Sequence, residues 1–355
     1  MERPYRLVTR LDPPSSTAGP RPPYRRFVAR SQDGDRTVLL TAPLPGADPA
    51  SFRAEAETAQ RLAVPWTLPV TEISGVGGAT AGADDTWYIS PYVPALPLPV
   101  ALAVHGAPLP EETVRVIGAA LAETLAALHA QGVTHAGVTP AAVLLTADGP
   151  RLTCFGAART TDQVEPDAAP ERATGGLPRP PGDVHGLGTV LAYAATGHTV
   201  PERDELPPAL RLTVTACLTR EPAHRPAAAA LLAALAPPTP HETVLGSASS
   251  LLTPGWLPAR VVAALARQSA ALLSADLHSA DAATGRLSDA AAGRPSHAAA
   301  GRPSDASEGR PSDASASRPS RAAAGQPPFD ASAGRPSDAT PGPPGRPAEH
   351  HGNGN

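Results

Sequence analysis

The chain has 355 residues, a formal net charge of −4, 45 prolines, 31 glycines and 3% aromatic residues, and all 29 of its basic residues are arginine. That balance argues against a nucleic-acid-binding protein, which needs a clustered basic face. The lack of lysine removes every chemistry that requires one, such as a Walker A phosphate clamp, a Schiff base or a phosphate-pairing lysine.

In chain order, short strand-like runs come first: Tyr5–Arg10, Tyr24–Arg30, Thr37–Thr41, Leu68–Ile73 and Trp87–Ser90, with a helix over Pro49–Leu62 between the third and fourth. After Pro99 the apolar spacing turns helical over Glu111–Gln131, Asp183–Thr196, Ala209–Leu218 and Ala227–Leu235. Two brief strands, Val143–Thr146 and Arg151–Cys154, flank the turn Asp148-Gly149. A small, mostly β part ahead of a larger, mostly α part predicts an α+β domain of two lobes, residues 5–93 and 94–236, with a cleft between them. Residues 237–257 read as a linker. Residues 258–277 read as one amphipathic helix, opened by Pro258 and carrying Val261, Val262, Leu265, Leu272 and Leu273 near helical spacing, and expected to dock on the main domain.

Residues 278–355 hold one Leu, one Phe and no Val, Ile or Met, too little to offset the entropy of ordering. GRPSDAxx units repeat there with a period of eight, and the segment reads as a disordered, low-complexity tail. Cys154 and Cys217 are too few for a disulfide framework or a four-cysteine zinc site, and read as buried thiols of a reducing compartment. No signal peptide is visible at the N-terminus, and no apolar run reaches the roughly 18 residues that a membrane span needs. The expectation is a cytoplasmic protein without membrane insertion.

One stretch, LAALHAQGVTHAGVTPAAVLLTADGPRLTCFGAAR (125–159), is followed by Ala169-Pro170-Glu171, then by Asp183-Val184-His185-Gly186-Leu187-Gly188, then by a Cys-Leu…Pro…Arg-Pro segment from Cys217 to Pro226. In this order and spacing the motifs resemble the bacterial Ser/Thr protein kinase family across residues 5–236, and a degenerate member of actinobacterial type. The resemblance implies a two-lobed protein-kinase-like fold. It also implies that Asp183 accepts hydrogen bonds from the catalytic loop, that Glu171 and Arg225 form a buried ion pair, and that His135, Phe155 and Gly156 keep architectural places.

The chemistry departs from the family at every point where phosphoryl transfer needs a charged or polar group. The phosphate cradle falls on Leu11–Pro23, with one glycine and five prolines, and proline has no N–H to offer phosphate. The phosphate-pairing lysine falls on Thr41. Its helix partner falls on Glu55, which reads as a solvated residue with no cation in register. The catalytic aspartate falls on Gly137, the metal-binding asparagine on Ala142, and the metal-binding aspartate on Cys154, whose neutral thiol is a poor ligand for Mg²⁺. The expectation is a catalytically inactive pseudokinase with no metal and no cofactor, serving as a binding or scaffolding module in bacterial signalling, its partner another protein and not a nucleic acid. The alternatives are an active Ser/Thr kinase using ATP and Mg²⁺ with carboxylates from elsewhere, such as Asp148 or Asp162, and a domain holding nucleotide through Tyr92 and Val93 alone.

Overall fold

The computed structural model describes residues 4–12, 20–74, 86–160, 168–235 and 247–274. The tail expected at 278–355 and the first part of the linker, 237–246, lie outside these residues.

The first lobe is an antiparallel sheet in the order β1-β2-β3-β5-β4, from β1 (Tyr5–Arg10), β2 (Arg25–Ser31), β3 (Thr37–Ala42), β4 (Glu72–Ile73) and β5 (Tyr88–Pro91). β3 is central and almost wholly buried, so its run TVLLTA is apolar on both faces. One face packs Tyr5, Ala29, Val38, Leu40, Trp87 and Ile89 together. Helix α1 (Pro49–Arg61) starts at Asp48, whose carboxylate accepts from the backbone N–H of Ala50 and Ser51, and it buries Phe52 and Ala56. Phe52 meets Tyr24 edge-on at 5.0 Å and stacks on Tyr88 at 5.5 Å between ring centroids. The strand expected from Leu68 is cut to Glu72–Ile73, because Pro69 cannot donate to a ladder.

The chain crosses to the second lobe through Tyr92–Pro94. It forms β6 (Ala95–Pro97), which joins β7 (Val143–Thr146) and β8 (Gly149–Leu152) in a three-stranded sheet. Helices α2 (Leu98–His105) and α3 (Glu111–Ala130) follow. α2 gave no helical period in the sequence because its run LPVALAVH is apolar on every face but for the terminal His105. α3 is long and apolar enough to span a membrane, yet 67% of its apolar stretch is buried inside this lobe. Gly118 lets it approach α6 (Pro180–Thr196) and α8 (Ala228–Leu235): a Cβ there would lie 2.8 Å from Leu191 and 2.9 Å from Leu235. Short helices α4 (Ala157–Thr160) and α5 (Pro170–Ala173) lead into α6, and α7 (Pro208–Cys217) packs behind it.

A final helix, α9, spans 259–274 and buries Val261, Ala264, Leu265 and Leu272. Part of the stretch read as a linker is packed instead: Ala248, Trp256 and Leu257 are buried in the main core. Trp256 and three leucines, Leu251, Leu252 and Leu257, scattered among polar residues gave no period to read, but together they bury apolar surface that fixes the chain.

Candidate functional site: the interlobe cleft

The cleft is filled from within around Arg26, while a cavity of about 110 Å³ stays open between Pro20, Pro23 and Leu44 of the first lobe and Ala136, Val138 and Asp183 of the second. Strand alternation puts Arg26 on the same side of β2 as Tyr24 and Val28, and its side chain is fully buried. The guanidinium binds both oxygens of Asp12 just past β1, with Nε donating to Oδ2 at 3.1 Å and Nη2 donating to Oδ1. It also reaches the second lobe, where Nη2 donates to the Ala141 carbonyl (2.6 Å) and Nη1 to Thr153 Oγ1 (2.9 Å). Burial opposes this charge, but the Asp12 carboxylate outweighs it and holds the guanidinium above its ordinary value. Beside the pair, Leu11, Leu39, Ala95 and Leu144 form one buried cluster with Val93 and Leu68. Residues of the first lobe, the crossing and β7 therefore touch directly.

Thr41, opposite Arg26 in the β2–β3 register, is buried and lines a cavity of about 40 Å³ with Tyr88, His135 and Cys154. Glu55 is not a solvated residue. Arg159 clasps it bidentately, Nε to Oε1 at 2.6 Å and Nη2 to Oε2 at 2.7 Å. The cation that the sequence showed no candidate for lies 104 residues away, three beyond Gly156, where no register points to it. Arg159 also donates to the Thr134 carbonyl (2.8 Å) and lies 5.2 Å from the Phe155 ring centroid. Glu55 sits so close over Gly156 that a Cβ there would fall 2.5 Å from its carboxylate, and Gly156 has φ +77°.

The stretch His135–Ala142 keeps the backbone path of a loop while carrying little chemistry. Asp183, near the start of α6, accepts from the His135 N–H (2.7 Å) and the Ala136 N–H (2.8 Å), and meets His129 Nε2 at 2.9 Å. Ala136 and Cys154 both adopt left-handed backbone, φ +58° and +64°, which non-glycine residues keep only when their surroundings impose it. The Gly156 N–H donates to the His135 carbonyl (2.8 Å) and the Ala158 N–H to the Ala136 carbonyl (2.6 Å), fixing the two turns against each other. They meet so closely that a Cβ at Gly137 would lie 2.3 Å from the Cys154 carbonyl oxygen. Ala142 is fully buried. Burial pushes the Cys154 thiol up, and it pushes His135 down to about 4, so both are neutral at pH 7. His135 packs edge-on against Phe155 at 5.5 Å. Asp148 stands exposed in the β7–β8 turn, with its N–H bonded to Thr146 Oγ1, and Asp162 lies outside the described residues.

Beyond the cleft, Arg225 Nη1 and Nη2 donate to the two Glu171 oxygens at 2.7 and 2.8 Å. The same guanidinium donates to the carbonyls of Pro181, Thr219 and Arg220. The Arg225 hydrogen bonds hold the Glu171 carboxyl below its usual range.

Sequence reasoning missed Arg26, Asp12 and Arg159. For Arg26 a signal existed: period-two alternation aligns it with Val28, and an arginine at an inward strand position needs a carboxylate. For Arg159 no local pattern points to Glu55.

No family model matches the chain. It is 36% identical over 265 residues to the probable serine/threonine-protein kinase PkwA of Thermomonospora curvata, covering 65% of this chain and 34% of that protein. It is 31% identical over 273 residues to the serine/threonine-protein kinase AfsK of Streptomyces coelicolor, covering 66% and 32%. The chain thus spans about a third of the length of these curated relatives. Among solved structures, a double-mutant form of the Mycobacterium tuberculosis PknI kinase domain superposes with a TM-score of 0.53 at 22% identity, covering 65% of this chain and 94% of that domain.

Proposed function

Because this chain belongs to the protein-kinase-like family of bacterial serine/threonine kinases, we propose that it is a catalytically inactive member that works as a binding or scaffolding module in signalling. The single observation that carries the reading is the Arg26 plug. A nucleotide enters a kinase between the lobes, and here that space holds a guanidinium engaged with Asp12, Ala141 and Thr153.

The residues present do not fit a magnesium–nucleotide complex. Transfer consists of positioning and charge stabilisation around the metal-bound phosphates. Cys154 offers a neutral thiol where a hard oxygen is needed. Glu55 is committed to Arg159. Gly137 is pressed against a carbonyl, so an acid could not be restored there without moving the backbone. The module's proposed partner is another protein, its proposed place the cytoplasm, and it uses no cofactor.

The test is transfer of labelled phosphate from Mg–ATP to a generic protein substrate and to the chain itself. The expected result is no incorporation above a no-enzyme control. Incorporation that disappears in Cys154→Ala would overturn the proposal in favour of a kinase with an unusual residue set.

A further inference from the structure

Among the described residues, the covalent crossing between the two sheets is Tyr92–Pro94, immediately ahead of β6. On that strand the carboxamide of Gln268 in α9 acts as a neighbouring strand would: the Ala95 N–H donates to Oε1 at 2.9 Å and Nε2 donates to the Ala95 carbonyl at 3.0 Å. The same C-terminal segment reaches a second junction. Trp66, on the first-lobe segment after α1, donates its indole N–H to Glu123 Oε2 on α3 (2.8 Å), and the Ala248 N–H donates to that oxygen as well (2.8 Å). Around Trp66, the Leu152 N–H donates to its carbonyl and Thr124 Oγ1 donates to the Pro65 carbonyl, so this segment docks on the second lobe.

Between these two anchors the segment is pinned along its length. Thr113 Oγ1 donates to the Trp256 carbonyl (2.6 Å), the Trp256 indole donates to the Ala147 carbonyl (3.1 Å), and Arg260 Nη1 donates to the His105 carbonyl at the end of α2 (3.1 Å). Val261, Ala264, Leu265 and Leu272 are buried beneath α9. We propose that residues 247–274 are a clamp that fixes the angle between the lobes, by holding the crossing strand at Ala95 and the first lobe's second foothold at Glu123–Trp66. Rotation of one lobe on the other requires the crossing to bend, and a strand hydrogen-bonded on both sides, to β7 and to Gln268, resists bending. The clamp stands whether or not the domain transfers phosphate.

The full chain tests it with spin labels at the exposed positions Arg6 and Leu212, the two buried cysteines being left in place. Gln268→Ala removes both Ala95 bonds without opening a large cavity, and it should broaden the label-to-label distance distribution by several ångströms at an unchanged mean helix content. Glu123→Gln, which keeps the shape but weakens the second anchor, should broaden it less. An unchanged distribution in Gln268→Ala would overturn the clamp. So would a broadening that occurs only with loss of α6 hydrogen-exchange protection, which would mark general unfolding.

Discussion

Two places in this molecule are built of the same chemistry, arginine on carboxylate, and do opposite things. In the second lobe, Arg225 on Glu171 ties α5 to the segment before α8 and satisfies three backbone carbonyls, while Asp183 ties α6 to the loop at His135–Ala136. These contacts hold backbone in place and need no reactant. In the interlobe cleft, Arg26 on Asp12 reaches Ala141 and Thr153 of the second lobe, and Arg159 of the second lobe clasps Glu55 of the first, so that these pairs join the lobes across the space where the proposed reading has no nucleotide. On the proposed reading, the scaffold is kept where it determines shape and replaced by internal fill where a kinase carries its chemistry. Fold and activity are separable because they rest on different residues.

Breaking either arginine–carboxylate pair should have the largest effect. Arg225→Ala leaves Glu171 unpaired and three carbonyls without a donor, and should lower unfolding free energy by about 3–5 kcal/mol, read from chemical denaturation. A variant as stable as the parent would show the pair to be ornamental.

The cleft sharpens the contrast. Arg26→Met alone leaves Asp12 buried and unpaired and should cost a similar amount, about 3–5 kcal/mol. Combined with Asp12→Leu it should recover most of that loss, since an apolar replacement of a buried pair is often neutral. A smaller recovery is expected for Arg225→Met with Glu171→Leu, which leaves three carbonyls unpaired where the cleft replacement leaves one, that of Ala141. Equal recovery in both places would erase the distinction between fill and tie.

His135 offers a pH test of the same interior. Its folded-state value, about 4, lies below the ordinary 6.5 because of burial, so the unfolded chain takes up the proton first as pH falls. Its contribution is complete above about pH 6.5 and is lost progressively toward pH 4, by up to about 3 kcal/mol. Denaturation midpoints across that window should lose this component in His135→Phe. A parallel pH profile for the two proteins would place His135 in contact with water.

A smaller effect is expected at the loop. Gly137→Asp brings a Cβ against the Cys154 carbonyl and should destabilise by about 1–3 kcal/mol while restoring no phosphate transfer. Stability equal to the parent's would mean that the loop can move aside.

The fold was legible where periodicity ran long. The spacing over Glu111–Gln131 ends one residue past α3, and two lobes follow from β-rich runs preceding α-rich ones. Elements made by context escaped. β6 is three residues that become a strand only by lying beside β7, and the packing of 247–257 depends on Trp256 finding the carbonyl of Ala147. At the site, the sequence displays what each position lacks, since Gly137 and Ala142 carry no donor or acceptor in their side chains. It hides what takes over. Arg26 lies 14 residues from Asp12 and Arg159 lies 104 from Glu55, and neither distance has a local signature.

The most direct measurement is thermal denaturation of the full chain with millimolar ATP, with and without Mg²⁺. A ligand present at 100 times its dissociation constant stabilises by about 2.7 kcal/mol, a rise of several degrees in melting temperature that such a melt resolves. With Arg26 seated between the lobes, the melting temperature should be the same without ATP, with ATP alone and with ATP and Mg²⁺. A magnesium-dependent rise would contradict the internally filled cleft, because the metal-bound nucleotide could enter only by displacing Arg26 from Asp12, Ala141 and Thr153.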